Sequence, residues 1–272
     1  MSRTRLETSL ADIPLGAAVL VAVVSAPFMA CAPAPDQPPG VVTVFCDTLM
    51  RPVMSEIMET FHRRHDAHVD VRYGSSLELL GEFSVNPEAV DLFLAGGSDY
   101  MDQAQSLGLV EDFVPLARAA PVLLVQGGNP AEIESLEDLT RAELRLGLAD
   151  ANATVMGRTL PRLFQTHGLN MDELAANIAL WADTDLELGN AVRMRRIDAA
   201  IVWEPSARQF PQCEIVPIPF EDDMALDIAI GLSTQAGEVK AAREFISFLR
   251  GRAARTRFEQ YYYNLAQPDA AP

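Results

Sequence analysis

The sequence predicts an α/β protein in which mostly parallel strands alternate with helices, on three observations. Within residues 41–108, strand, small polar turn and helix follow one another three times. The strands are continuous β-branched or aromatic runs, as in sheets covered on both faces. The helices each carry one apolar stripe.

Val41, Val42, Val44 and Phe45 open the pattern as a strand, which Cys46, Asp47 and Thr48 end. Pro52 suits the first turn of a helix, where its missing N–H costs nothing. Val53, Ile57 and Phe61 follow at i, i+4 and i+8, joined by Met54 and Met58. Free N–H groups at such a helix start face the carboxyl edge of the sheet and favour an anion, so this turn is a candidate ligand site. The charge run His62 to Asp66 complements the helix dipole in solvent. Val69, Val71 and Tyr73 alternate as a second strand, turned by Gly74-Ser75-Ser76 into a helix begun by Leu77 and Leu80. Asp91 to Ala95 is a third strand, turned by Gly96-Gly97-Ser98 into a helix that Gly108 closes.

Further on, Pro121 to Gln126 reads as a strand, and Ser135 with Asp138 approximates a capping box for a short helix. Leu144 to Ala149 is a strand, followed by the turn Asp150 to Thr154 and a helix from Val155 to His167, stopped by Gly168. Ile178 to Trp181 is a strand, and Thr184 caps a helix that turns Leu188 and Val192 inward. Ile197 to Trp203, Cys213 to Pro219 and Leu226 to Leu232 are further strands, and Val239 to Leu249 and Ala253 to Tyr263 are closing helices.

The 272 residues suffice for two modest domains, and 49% hydrophobic content excludes a disordered chain. The formal charge of −17 makes nucleic acid an improbable partner. A small anion remains compatible, because backbone dipoles act locally and salt screens surface charge within about 8–10 Å. Arg3 and Arg5 precede an apolar run from Ile13 to Met29, which reads as an export signal over residues 1–30. Met29-Ala30-Cys31 is similar to the lipobox of bacterial lipoproteins, which implies acylation of Cys31, although Phe28 stands where an aliphatic residue is usual. Simple cleavage and an uncleaved anchor are the alternatives. All three place the remainder outside the cytoplasm, behind a proline-rich tether ending at residue 40. Cys46 and Cys213 could form a disulfide or stay free. Sequence cannot bring their Cα atoms within the roughly 4.4–6.8 Å that a bridge needs, and no Cys/His spacing indicates a metal site.

Five segments taken in order resemble one family. They are VFCDT at the first turn, YGSS at Tyr73 to Ser76, DLFLAGG at Asp91 to Gly97, GLADANATVMG at Gly147 to Gly157, and DAAIVWEPSA at Asp198 to Ala207. Together they resemble the substrate-binding proteins of ABC importers, in the periplasmic molybdate- and tungstate-binding branch. The resemblance implies a two-lobed periplasmic-binding-protein clamshell of type II, each lobe a mostly parallel sheet flanked by helices, with two crossing linkers. Lobe one would comprise residues 41–120 and 225–264, and lobe two residues 121–224. The crossings would fall near Pro121 to Gln126 and Ile215 to Phe220. It also implies a monomer that carries no cofactor, is no enzyme, and passes molybdate or tungstate to an ABC permease.

Carried over by position, the oxyanion would meet Cys46, Asp47 and Thr48 at the first turn and Ser75 and Ser76 at the second. From lobe two it would meet Ala153, Thr154 and the backbone near Leu186. Trp203 stands at the family's tyrosine position and offers an indole N–H instead of a hydroxyl. Asp47 and Glu204 depart from the pattern, since two like charges about 4 Å apart repel by roughly 4 kcal/mol at an effective dielectric of 20. Either they point away, Asp47 as a helix cap and Glu204 into solvent, or they bind a cationic solute or a metal. Two other classes stay open. One is a sensory module with the same lobes. The other is an enzyme using Cys46 as a nucleophile at a helix start, for which no supporting base is evident.

Overall fold

The structure is a computed structural model that describes residues 41–266. The chain opens with β1 (Val41–Asp47), α1 (Arg51–His62), β2 (His68–Gly74), α2 (Ser76–Val85), β3 (Leu92–Gly96), α3 (Ser98–Ser106) and β4 (Val110–Ala119). It then forms β5 (Pro121–Val125), β6 (Leu146–Ala149), α4 (Val155–Thr166), α5 (Met171–Leu174), β7 (Ile178–Ala182), α6 (Asp185–Arg193), β8 (Ala199–Trp203), α7 (Glu204–Ala207) and β9 (Glu214–Pro217). The chain returns to the first sheet through β10 (Leu226–Ser233), α8 (Val239–Arg250), α9 (Arg252–Gln260) and β11 (Asn264–Leu265).

Two sheets result, ordered β11-β4-β10-β3-β1-β2 and β7-β6-β8-β5-β9. Both are mixed. The strand-turn-helix units generate the parallel pairs β1–β2, β1–β3, β6–β7 and β6–β8. The strands at the crossings pair antiparallel: β10 with β3 and β4, and β5 with β8 and β9. The chain passes from β4 to β5 through Ala120 alone, with no helix to bring it back in parallel. Two α/β lobes joined by two crossings form the clamshell that the repeats and the resemblance predict.

The ten-residue β4 has no counterpart in the sequence reading, because Pro115 and two acidic residues break its strand pattern. Pairing with β10 overrides that pattern. Ile228 opposes Ala117 while Ala229 opposes Pro115, so the register shifts around the proline, as a bulge accommodates a residue without an N–H.

β1 is buried from both sides, as its composition requires. Val42, Val44 and Cys46 join the main core with α1, α8 and α9. Phe45 joins a second cluster with Leu79, Phe83, Phe93, Tyr100 and Met101 beneath α2 and α3. On α1, Val53, Met54, Ile57 and Phe61 are all buried, and the Phe61 ring meets Phe245 at 4.9 Å and Phe248 at 5.2 Å. This packing fixes the height of the β1–α1 turn, where the candidate site begins.

Candidate functional site

At the carboxyl end of β1, the side chain of Asp47 folds back over the following 3-10 turn. Its Oδ1 accepts from the Leu49 N–H at 2.9 Å, an N-cap bond of the kind the sequence reading allowed. Its Oδ2 accepts from the Ser76 N–H at 3.1 Å and from the Ser76 hydroxyl at 2.5 Å. The hydroxyl is itself oriented, because its oxygen accepts from the Gly96 N–H at 3.0 Å and its proton is left for Asp47. Three neutral donors from two turns therefore converge on one carboxylate. Burial pushes the Asp47 carboxyl up from its ordinary range, and the bonds from Ser76 and Leu49 oppose that rise.

The second lobe answers with another carboxylate. Asp185, the first residue of α6, accepts from the Trp203 N–H at 3.1 Å. Burial pushes its pKa up to about 6 against support from Trp203 and Ser206, and the Asp47 charge raises it further. Asp47 and Asp185 thus feel each other between the lobes. Each is half-buried and keeps some accessible surface. Tyr263 completes the group: its buried hydroxyl donates to the Leu49 carbonyl at 3.0 Å, and burial, then Asp47, Cys46 and Asp185, push its pKa well up. Neither Asp47 nor Asp185 forms a salt bridge among the described residues. Arg51, the nearest cation in sequence, lies over the Tyr73 ring at 4.3 Å. No cluster of three or more metal-ligating side chains occurs among the described residues.

The lobes touch beside this group. Val155, at the start of α4, packs into the first lobe's second cluster. Arg158 reaches Asp99 of α3 at 2.9 Å, while Arg162 ties α4 to Glu221 at 2.9 Å and Asp223 at 2.5 Å on the segment that leads back to β10. Gly97 lies at the contact with φ +110°, and a Cβ there would come within 2.7 Å of Asp99 and 3.0 Å of Val155.

The other residues singled out from sequence are distributed as follows. Thr48 is exposed at the start of the 3-10 turn. The Ser75 hydroxyl is engaged in a capping box with Glu78, accepting from its N–H at 3.2 Å and donating to its carboxylate at 2.9 Å. Ala153 lies in the turn before α4, and the Thr154 hydroxyl caps that helix by accepting from Gly157 at 2.9 Å. Leu186 is exposed, with its carbonyl accepting from Asn190. Trp203 is buried and presents its backbone N–H to Asp185. Glu204 pairs with Arg208 at 2.6 Å instead of joining Asp47. With Phe210, Cys213 and Tyr262 it lines a cavity of about 610 Å³ that includes Ala120 and Ile218 of the two crossings. Cys46 and Cys213 are both free. Burial, then the neighbouring Asp47, raises the Cys46 pKa, which disfavours the thiolate a nucleophile needs. Cys31 lies outside the described residues.

Sequence reasoning missed Asp185, Ser206 and Tyr263. A signal existed for Asp185: it opens the helix after a strand-to-helix turn of lobe two, directly after the cap Thr184, as Asp47 stands in the first such turn of lobe one. Tyr263 carried none, since only the return of the C-terminal segment to the first sheet brings it beside β1.

Comparison with known proteins fits this architecture. The model of the bacterial extracellular solute-binding protein family matches residues 42–264. A provisionally named binding protein of Haemophilus influenzae is 26% identical over 74% of this chain and 81% of its own length. The molybdate-binding protein ModA of Mycobacterium bovis is 23% identical over 83% of this chain and 85% of its own. Among solved structures, the sulfate-binding protein SubI of Mycobacterium tuberculosis H37Rv superposes with a TM-score of 0.72 at 16% identity, covering 84% of this chain and 88% of that one. Iron-bound HitA of Pseudomonas aeruginosa superposes with a TM-score of 0.67 at 13% identity, covering 86% and 90%. At such identities the structural likeness is one of fold, whereas the family match spans nearly all of the described residues. The chain belongs to the bacterial extracellular solute-binding protein family.

Proposed function

We propose that this solute-binding protein captures a small oxyanion, with molybdate or tungstate as the first candidates, and delivers it to an ABC permease. One observation carries the reading: the Leu49 N–H, the Ser76 N–H and the Ser76 hydroxyl converge at the carboxyl end of β1 and grip carboxylate oxygens at 2.5–3.1 Å. Such neutral, preorganised donors hold an oxyanion without a buried cation. The family and the molybdate-binding relative support the class of solute. A solute that touches both lobes only when they are closed draws the population to the closed state by its differential affinity. Export through the leader and anchoring through Cys31 belong to the same reading, and mass spectrometry of the mature N-terminus tests them. An unprocessed leader, or cleavage well past Cys31 without lipid, refutes the anchoring.

A second reading has its own observation. Asp47 and Asp185, one from each lobe, lie near enough for the Asp47 charge to raise the Asp185 pKa, and neither has a salt-bridge partner among the described residues, which suits a cationic solute or a hydrated metal ion. Thermal unfolding with molybdate, tungstate, sulfate, phosphate and divalent or trivalent metals in turn separates the two. A solute present at a hundred times Kd stabilises the folded state by about 2.7 kcal/mol. Stabilisation by oxyanions supports the first reading. Stabilisation by cations alone, lost in Asp47→Asn, refutes it.

A further inference from the structure

We propose that Asp47 determines the specificity of the cleft by acting as the resident occupant of the first lobe's oxyanion site. The inference rests on the oxyanion reading above and specifies how a solute gains the site.

The Asp47 carboxylate already makes the contacts that an incoming anion would make. Its two oxygens take donors that share no element, the Leu49 N–H two residues along the chain and the pair from Ser76, 29 residues along. Helix capping accounts for the Leu49 bond alone. The Ser76 hydroxyl has a single proton, and the bond it accepts from Gly96 aims that proton at Asp47. While Asp47 is in place, an oxyanion finds these three donors taken. It also meets carboxylates with no salt-bridge partner, because Asp47 lies near enough to raise the Asp185 pKa and the salt bridges of the described residues include neither. Each like-charge pair at about 4 Å opposes binding at an effective dielectric of 20. A solute therefore enters only if its interactions with the three donors and with lobe two exceed those of the carboxylate it displaces. Weakly held monoanions fail this comparison, so the resident carboxylate works as a threshold on affinity.

The test compares the wild-type chain with Asp47→Ala, using sodium formate, molybdate, tungstate and sulfate as ligands in calorimetry and thermal unfolding. Formate is the carboxylate that the substitution removes. The expected result is that formate raises the unfolding midpoint of Asp47→Ala and leaves the wild type unchanged. At least one oxyanion should bind the variant tenfold or more tightly than the wild type, and adding Ser76→Ala should abolish both gains. If Asp47→Ala does not fold cooperatively, Asp47→Ser, whose hydroxyl can still cap Leu49, carries the same comparison. A folded variant that gains neither formate nor oxyanion binding overturns the inference. So does an oxyanion affinity that is unchanged or weaker in the variant, although the capture reading then stands. Formate binding to the variant while no oxyanion binds either protein leaves the resident-occupant inference in place and removes the capture reading.

Discussion

Replacing Asp185 by Asn should change how stability depends on pH, with a sign that follows from its position between the lobes. The folded state raises this carboxyl from 3.8 to about 6, so between those values the native chain holds a proton that the unfolded chain has lost. Stability from this group is therefore full below about pH 4, falls as pH rises to about 6, and stays lower above it. At about 1.36 kcal/mol per pH unit the penalty at neutral pH has a ceiling of roughly 3 kcal/mol. Asp185 retains some access to solvent, whose screening reduces that to about 1–2 kcal/mol. Asparagine keeps the side-chain shape and an oxygen that can accept from the Trp203 N–H, so its cost at acid pH is small. Asp198, Glu137 and Asp138, all depressed by their partners, give the opposite slope in both proteins and cancel in the comparison. Urea unfolding at pH 4 and pH 7.5 is the assay. Asp185→Asn should match or fall slightly below the wild type at pH 4 and exceed it by about 1–2 kcal/mol at pH 7.5. Parallel pH profiles would refute the burial argument, and a variant less stable at pH 7.5 would show that the ionised carboxylate is needed by a partner.

Three further outcomes are expected. Gly97→Ala should cost about 1–3 kcal/mol in urea unfolding, because φ is +110° and the added Cβ meets Asp99 and Val155; a neutral change would mean that this turn relaxes freely. Arg158→Ala removes the ion pair to Asp99 that joins the lobes, worth about 0.2–1 kcal/mol. X-ray scattering of the solute-free variant should then report a larger radius of gyration in low salt, and an unchanged radius would show that apolar contacts such as Val155 hold the lobes together. In a Cys31→Ser background, a thiol reagent at pH 7.5 should label half-buried Cys213 well before Cys46, which is fully buried with a raised pKa. Faster labelling of Cys46 would revive its role as a nucleophile.

Locally encoded features were legible without the fold. The β-branched run at Val41 to Phe45, the i, i+4 spacing of Val53, Ile57 and Phe61, and the capping chemistry of Ser75, Thr154 and Thr184 act over one or two turns of chain. Their repetition determined the α/β class, and the position of the turns at strand ends marked Asp47 and Ser76 as candidate site residues. The tertiary structure decided what depends on distant partners. β4 forms across Pro115 because β10 pairs with it, and the sheets are mixed because the crossings carry no helix. Sequence placed Asp47 with Glu204, but Glu204 is drawn off by Arg208 four residues along the chain, and Asp185 is the lobe-two carboxylate whose pKa the Asp47 charge raises. Nor could spacing reveal that the Asp47 carboxylate fills the donors of Ser76, since that bond spans 29 residues and exists only where β1 and β3 end beside the start of α2. Propensity and capping are properties of neighbouring residues. Electrostatic pairing inside a cleft is a property of which ends the fold brings together.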